Sequence, residues 1–521
     1  PEDLGKAYAG YLLRGITTVN DYSVSGEMIA PIRAMTQQPG GIWAPHLNEA
    51  VRMGVPGGHG TEYGWGNFFT MEAPTPRAAH LAMAKALPYR PDVIKVFTDG
   101  WRYGRNPDLN SMTEPALAAI VSDARKAGIP VVTHTVTLQG AKVAAGAGVD
   151  SVVHGVGDAL VDDELIGKMK AHDTAYVPTL VVYEPQEDRS FTKGEWESFS
   201  APEQARENAR MAKPLAKIDP ANSKRWAILK ENIGRVRAAG IPIGIGTDAG
   251  IGGVYHGPGA IREIVWLTKL GFTPADALVA ATRTSAQIMG QDADHGTIAP
   301  GMRADVVLVA GKPDDAIEDI WNVRRVWVGG REAPMDALRK RIASPQPTPM
   351  PVVEMTGPID SGKRADGRTD LDTLPVESTD AGIDQSHIAV ARPGPETMPE
   401  RPLFMVAQMG AAPRPFAQLV LPLTKGGIAV ADARKFTGIV FNARGAGDYD
   451  LWLEGYGSDE WFRKPFKAGA NAAEVRIPFA AFTNGKAGAV LDKAALRALR
   501  FELSGKPGGK AWLELSNVRF Y

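Results

Sequence analysis

Three side chains in the first half of the chain are of metal-ligand type, His134, His154 and Asp248, and a fourth, Lys95, is a lysine set within an apolar run. Lys95 interrupts the run VIKVF (93–97), whose apolar and β-branched residues suit a strand buried on both faces of a parallel sheet. An ammonium loses far more on leaving water than its methylenes return, so a lysine there needs a reason. It twists towards solvent, pairs with a neighbouring aspartate, or points into a functional cavity; the segment alone leaves these open. His134 ends VVTH, His154 ends SVVH and Asp248 ends GIGTD. Taken singly, a histidine at a strand end is commonly a hydrogen-bonded residue of the partial core. An aspartate before Ala-Gly is commonly a turn or cap. Taken together, at the C-terminal ends of successive strands, the three converge on one mouth, and two imidazoles with a carboxylate suit Zn²⁺.

The elements that must position them alternate. Strands are predicted at 15–21, 41–46, 92–100, 129–134, 151–154, 174–182 and 241–248, and helices at 26–35, 76–87, 113–127, 138–147, 162–171, 260–270 and 274–290. A charged insertion of two or three helices occupies 184–240. This spacing argues for parallel βα units. Seven strands fit an open sheet or a (β/α)₈ TIM barrel lacking one. The barrel is preferred because ligand-type residues recur at the C-terminal strand ends. Its first strand would then lie upstream of residue 1, where the chain opens with a helix-like segment; the alternative is a strand within 184–240, a stretch poor in β-branched runs. The expected organisation is α/β: a barrel over 1–295, part of a small flanking β-structure over 296–335, a linker over 336–353, proline-rich from 343, and an all-β sandwich over 354–521.

Bulk properties narrow the function. At 521 residues more than one domain is the default. A net charge of −1, from 58 basic and 59 acidic residues, gives no reason to expect nucleic acid or an anionic membrane as partner. No apolar run approaches the length of a membrane span. With no cysteine, disulfides and thiolate–zinc sites are excluded, and any metal must take His, Asp, Glu or a modified side chain.

The pieces GITTVND (15–21), VIKVFTDG (93–100), VVTHTVTLQGAKVAAGAGVDSVVHG (131–155), GIGTDAG (244–250) and FTPADALVAATRTSAQIMG with GTIAPGMRADVVLV (272–309) together resemble the amidohydrolase superfamily, in its imidazolonepropionase-like and Xaa-Pro dipeptidase branch. The resemblance implies that Lys95 is carbamylated and bridges two divalent metal ions, expected to be Zn²⁺. It implies that His134, His154 and Asp248 are ligands, and that Asp248 also relays the proton from attacking water to leaving amine. The implied activity is hydrolysis of an amide bond in a small acylated amino acid, dipeptide or related substrate. A cyclic amide or lactone is the alternative substrate, and a non-catalytic glycan- or partner-binding protein is the alternative of another class. One departure stands out: the family's first strand carries His-x-His, and this chain has no such motif. The expectation is therefore a truncated or processed chain whose His-x-His segment is supplied separately, or else a copy that has lost a metal site.

His256, Tyr183, Arg102, Tyr103 and Arg105 are weaker candidates for substrate contact. His46, His59, His80, His172, His295 and His387 read as structural. The pieces FTGIVFNARGAGDYDLWLEG (436–455), VRIPFAAF (475–482) and LRFELSGKPGGKAWLELSNVRFY (499–521) resemble a galactose-binding-like jelly roll of the complex-I-assembly-factor type. Its Trp452, Trp461, Phe462 and Trp512 are expected to pack in the core more than to stack on sugars. A homo-oligomer is expected. The composition looks bacterial, with the periplasm or secretion favoured and the cytoplasm as alternative.

Overall fold

The computed structural model describes residues 3–521 except 39, 102–107, 186–188, 214–219, 252, 383, 396–397, 399, 458–460 and 487. Its N-terminal part is built on a parallel sheet of β1 (Thr18–Asp21), β2 (His46–Gly54), β3 (Thr70–Glu72), β4 (Val93–Phe97), β5 (Val131–His134), β6 (Ser151–Val153) and β7 (Ala175–Val177). The order is β1-β2-β4-β5-β6-β7, with β3 added to β2. A further parallel bridge joins Tyr176 to Ile243. Side chains alternate between the two faces of a strand. On β4, Ile94 and Val96 join the large core beneath the helices, whereas Val93 joins a second cluster with Ala50, Val132, Val153, Val177 and Met289. All but Met289 come from strands, five in number, and they meet in one cluster, so the sheet curls into a half-barrel with an apolar floor. Among the described residues it stays open between β1 and the Ile243 segment.

α1 (Leu4–Leu13) precedes β1, and the helices that follow the strands cover the outer face: α2 (Gly26–Gln37), α3 (Pro76–Ala86), α4 (Glu114–Lys126), α5 (Leu138–Ala147) and α6 (Asp163–Ala171). Their ends are written locally. The Thr137 hydroxyl accepts from the Gly140 N–H to open α5, and Gly148 at φ 81° closes it. After β7 come the short α7 (Leu180–Tyr183), then α8 (Lys193–Ser198), α9 (Ala201–Met211) and α10 (Pro220–Ala238), then α11 (Pro258–Lys269), α12 (Pro274–Val279) and α13 (Ser285–Ile288). A three-stranded antiparallel sheet, β8 (Val306–Val309), β9 (Val323–Val328) and β10 (Arg331–Glu332), lies beside the half-barrel.

Several expectations need correction. The strand expected over 241–248 is reduced to the single parallel bridge at Ile243, in a stretch interrupted by Gly244 and Gly246. The strand expected at 41–46 is instead β2, which begins at His46. Its charged Glu49 and Arg52 are both accommodated: Arg33 pairs with Glu49 at 3.0 Å, and Arg52 Nε donates to the Phe69 carbonyl at 3.1 Å. The strand expected over 174–182 stops at Val177, because Thr179 turns at φ 47° into α7. The segment expected to be linker from 336 is helical over Met335–Ala343 (α14). Met335, Leu338 and Ile342 recur on one face and pack with Ala9, Leu12 and Leu13 of α1.

From Val352 onward the chain forms two sheets around one core. One comprises Val352–Glu354, Val376–Thr379, Phe416–Pro422, Val430–Asp432, Gly447–Gly455, Trp461–Ala468 and Leu496–Ser504. The other comprises Pro358–Asp360, His387–Ala391, Leu403–Gln408, Gly438–Gly445, Ala473–Pro478 and Lys510–Phe520. Phe441 of the second sheet meets Phe501 of the first edge-to-face at 5.1 Å, within a shared apolar cluster. No helix among the described residues is long and apolar enough to cross a membrane.

Candidate active site

Lys95 stands on the concave face of β4, one layer above the apolar floor and only 4 % exposed. Its ammonium lies over the ring of Tyr22 at 5.0 Å and that of Phe97 at 5.8 Å. Burial pushes its pKa from 10.5 down to about 7; the Asp248 charge opposes that shift and Arg52, its register partner on β2, adds to it. Near neutrality much of Lys95 is therefore an uncharged amine, a nucleophile in place of a buried cation.

His134 ends β5 on the same concave side. Burial, and then the neighbouring His154, His59 and Lys95, hold it well below the ordinary histidine range. The rings of His134 and His154 stand 4.6 Å apart, edge to face. His154 is also held neutral, by burial first and by Lys95 and His59 next. Its Nδ1 bonds the Thr179 hydroxyl at 3.0 Å. Thr179 in turn sits at the start of α7, whose Leu180 and Val181 N–H groups both donate to Glu263, at 2.8 and 3.0 Å.

Asp99, after β4, accepts through Oδ2 from the Val136 and Thr137 N–H groups, at 2.8 and 3.0 Å. Its buried Oδ1 has no hydrogen-bond partner and faces His134 Nε2 at 4.0 Å. Asp248 carries a raised pKa from burial, which Lys95 and His59 oppose. His154, Thr179 and Asp248 all have positive φ, at 69°, 47° and 53°. Such backbone is sparsely populated outside glycine and concentrates at functional sites.

These donors can be tested against a divalent cation. Two adjacent neutral imidazoles keep a ring lone pair at neutral pH, and Lys95 is poised to lose its proton. The bond from His154 Nδ1 to Thr179 is the outer support that a ligating histidine needs while its Nε2 stays open. The set His134, His154 and Lys95, with Asp248 beside it, fits one such cation in donor chemistry. Among the described residues, no three ligand-type side chains already converge to coordination distance.

The weaker candidates fare unequally. Tyr183 meets the His154 ring edge-to-face at 6.1 Å, so it borders the site. His256 packs against Tyr11 of α1 at 5.5 Å and against the Gly250 turn that follows Asp248. Arg102, Tyr103 and Arg105 lie outside the described residues. His59, which reads as structural in the sequence, lies on His134 at a ring separation of 4.3 Å and on Phe97 at 5.2 Å. Its Nδ1 bonds Glu62 at 2.7 Å. The available signal was a histidine within a glycine-rich loop, PGGHGTEYG, which opens onto the mouth once the preceding strand is placed at His46–Gly54.

A half-barrel of parallel βα units thus gathers His59, His134, His154, Asp248 and the buried Lys95 about one mouth. Residues 11–333 match the Amidohydrolase family, and the chain belongs to it. It is 33 % identical over 79 residues to imidazolonepropionase of Chromobacterium violaceum, covering 15 % of this chain and 19 % of that protein. It is 28 % identical over 182 residues to an uncharacterized protein of Mycobacterium bovis, covering 34 % and 42 %. The chain thus spans less than half the length of these curated relatives. A crystal structure of a Xaa-Pro dipeptidase with bound methionine in the active site superposes with a TM-score of 0.50 at 24 % identity, over 63 % of this chain and 77 % of that one, a likeness of fold.

Proposed function

We propose that this mouth hydrolyses an amide bond of a small acylated amino acid, dipeptide or related substrate, with help from divalent metal. The observation that carries the reading is Lys95, buried on the concave face with its pKa lowered to about 7 beside two neutral imidazoles and Asp248. An uncharged Lys95 amine adds CO₂: a nitrogen–carbon bond forms, a proton leaves, and the product is an anionic carbamate. That exchange removes the cost of a buried ammonium and supplies oxygen donors beside His134 and His154. A bound cation would lower the pKa of water and polarise the scissile carbonyl. Zinc is the expected ion on donor type. A second ion, bridged by Lys95, would draw on His-x-His donors, which this sequence does not contain.

Asp248 accepts the proton of the attacking water and returns it to the leaving amine, a role that suits a carboxylate with a raised pKa. His256 and Tyr183, with Arg102 and Tyr103, are proposed to border the substrate. Residues 354–521 are read as the galactose-binding-like jelly roll, and 1–295 as the barrel domain. The test is metal analysis of the full chain, combined with amine release from a panel of N-acyl amino acids and dipeptides. Lys95→Ala is expected to lose bound metal. Asp248→Asn is expected to lose roughly 10²-fold or more in kcat. Full activity in both variants would sink the reading.

A further inference from the structure

The stretch 56–69 touches both the mouth and the C-terminal sheets, and each of its sides has specific partners. On the inner side His59 lies on His134 and Phe97, and Tyr63 stands 6.1 Å from His59, half exposed at the opening. A Cβ on Gly60, at φ +85°, would fall 2.6 Å from the Phe97 ring, so the loop backbone closes directly onto β4. On the outer side the Gly64 carbonyl accepts from the Thr379 N–H at 2.7 Å, and the Glu62 carbonyl accepts from the Gly382 N–H at 3.1 Å. Trp65 and Phe68 pack with Val376, Val420 and Ala498 of the first C-terminal sheet. The Arg500 guanidinium lies over Trp65 at 5.2 Å and is itself held by Glu454 at 2.8 Å.

We propose that the C-terminal sheets form the outer wall of the catalytic mouth, clamping residues 56–69 so that His59 meets the substrate over His134. This rests on the hydrolase reading above. Glycines at 57, 58, 60, 64 and 66 leave the loop with little conformational preference of its own; the Thr61 hydroxyl ties its first turn to the Val55 and Gly58 carbonyls, and the C-terminal sheets hold its second half. Glu62 orients the His59 imidazole through Nδ1, leaving its other nitrogen for a substrate oxygen. The sheets therefore act on substrate affinity, through a residue more than 300 positions away in sequence from the strands that hold it.

Hydrogen–deuterium exchange on the full chain tests the clamp without any substrate. Trp65→Ala removes the apolar anchor. Gly64→Ala places a methyl 2.5 Å from the Thr379 carbonyl at φ +74°, which lifts the loop even if the tryptophan variant fails to fold. Both are expected to speed exchange in 57–64 while β4 keeps its protection and the bound metal is unchanged. With the best amide substrate of the panel, His59→Gln and Trp65→Ala are expected to raise KM by roughly tenfold with kcat changed less than about threefold. Unchanged loop exchange in both loop variants, or a wild-type KM in His59→Gln, would overturn the proposal. Full activity in Lys95→Ala would instead strike the hydrolase reading, and loop exchange would still decide the clamp.

Discussion

Lys95 sets the energetic problem at the scale of single residues. In the unfolded chain its pKa is near 10.5, and in the folded, metal-free protein about 7. Between those values the unfolded state binds a proton that the folded state lacks, so the stability of the metal-free protein rises with pH through this window. The penalty at pH 7 is on the order of 4 kcal/mol. Lys95→Met is therefore expected to stabilise the metal-free protein and to flatten this pH dependence, as urea denaturation at pH 7 and pH 9 will show. A variant no more stable than wild type at pH 7 would mean that the ammonium finds solvent or a counter-ion. His134 and His154 gain from the same burial, since neutral imidazoles are the form that binds metal.

At the scale of elements, the turn from β7 into α7 orients His154. Thr179 is β-branched yet held at φ 47°, and its hydroxyl reaches His154 Nδ1. The buried Glu263 of α11 holds that turn by accepting two N–H groups, although burial raises its pKa to about 8. Glu263→Ala would leave both N–H groups unpaired and cost about 1–3 kcal/mol for each, readable as a lower denaturation midpoint. Thr179→Val keeps the branched shape and loses the hydroxyl. It is expected to weaken Zn²⁺ binding by roughly 10–100-fold in chelator competition, with little change in secondary structure. Unaltered zinc affinity would show that Thr179 does not orient the imidazole.

The whole molecule is joined across its two halves by buried polar contacts as well as apolar ones. Arg368 grips Glu27 of α2 with two bonds, at 2.5 and 3.0 Å, and the Tyr89 hydroxyl donates to the same carboxylate at 2.6 Å. Glu27 is nearly inaccessible, so removing its cation leaves a buried charge short of its partner. Arg368→Ala is expected to cost about 3–5 kcal/mol and to lower the melting temperature of the half-barrel in calorimetry. A melting profile identical to wild type would mean that the Arg368–Glu27 pair contributes nothing measurable to that coupling.

Much of the site could be read from residue order. Lys95, His134, His154 and Asp248 each end or interrupt a short apolar run, and the alternation of such runs with helical segments already implies one mouth. The helix expected at 138–147 stands as read, opened in the structure by a threonine cap and closed by a glycine. Placing the strand at 41–46 misses β2, whose buried Glu49 and partly buried Arg52 find their partners, Arg33 and the Phe69 carbonyl, only in the folded chain. That error also hid His59, whose loop could not be assigned to the mouth without the strand before it. Sequence alone thus determined that Lys95, His134 and His154 stand on or just after short buried strands, because strand periodicity is local. Tertiary structure alone decided that His59 joins them, because its glycine-rich loop is fixed by strands over 300 residues away, whose packing no local pattern encodes.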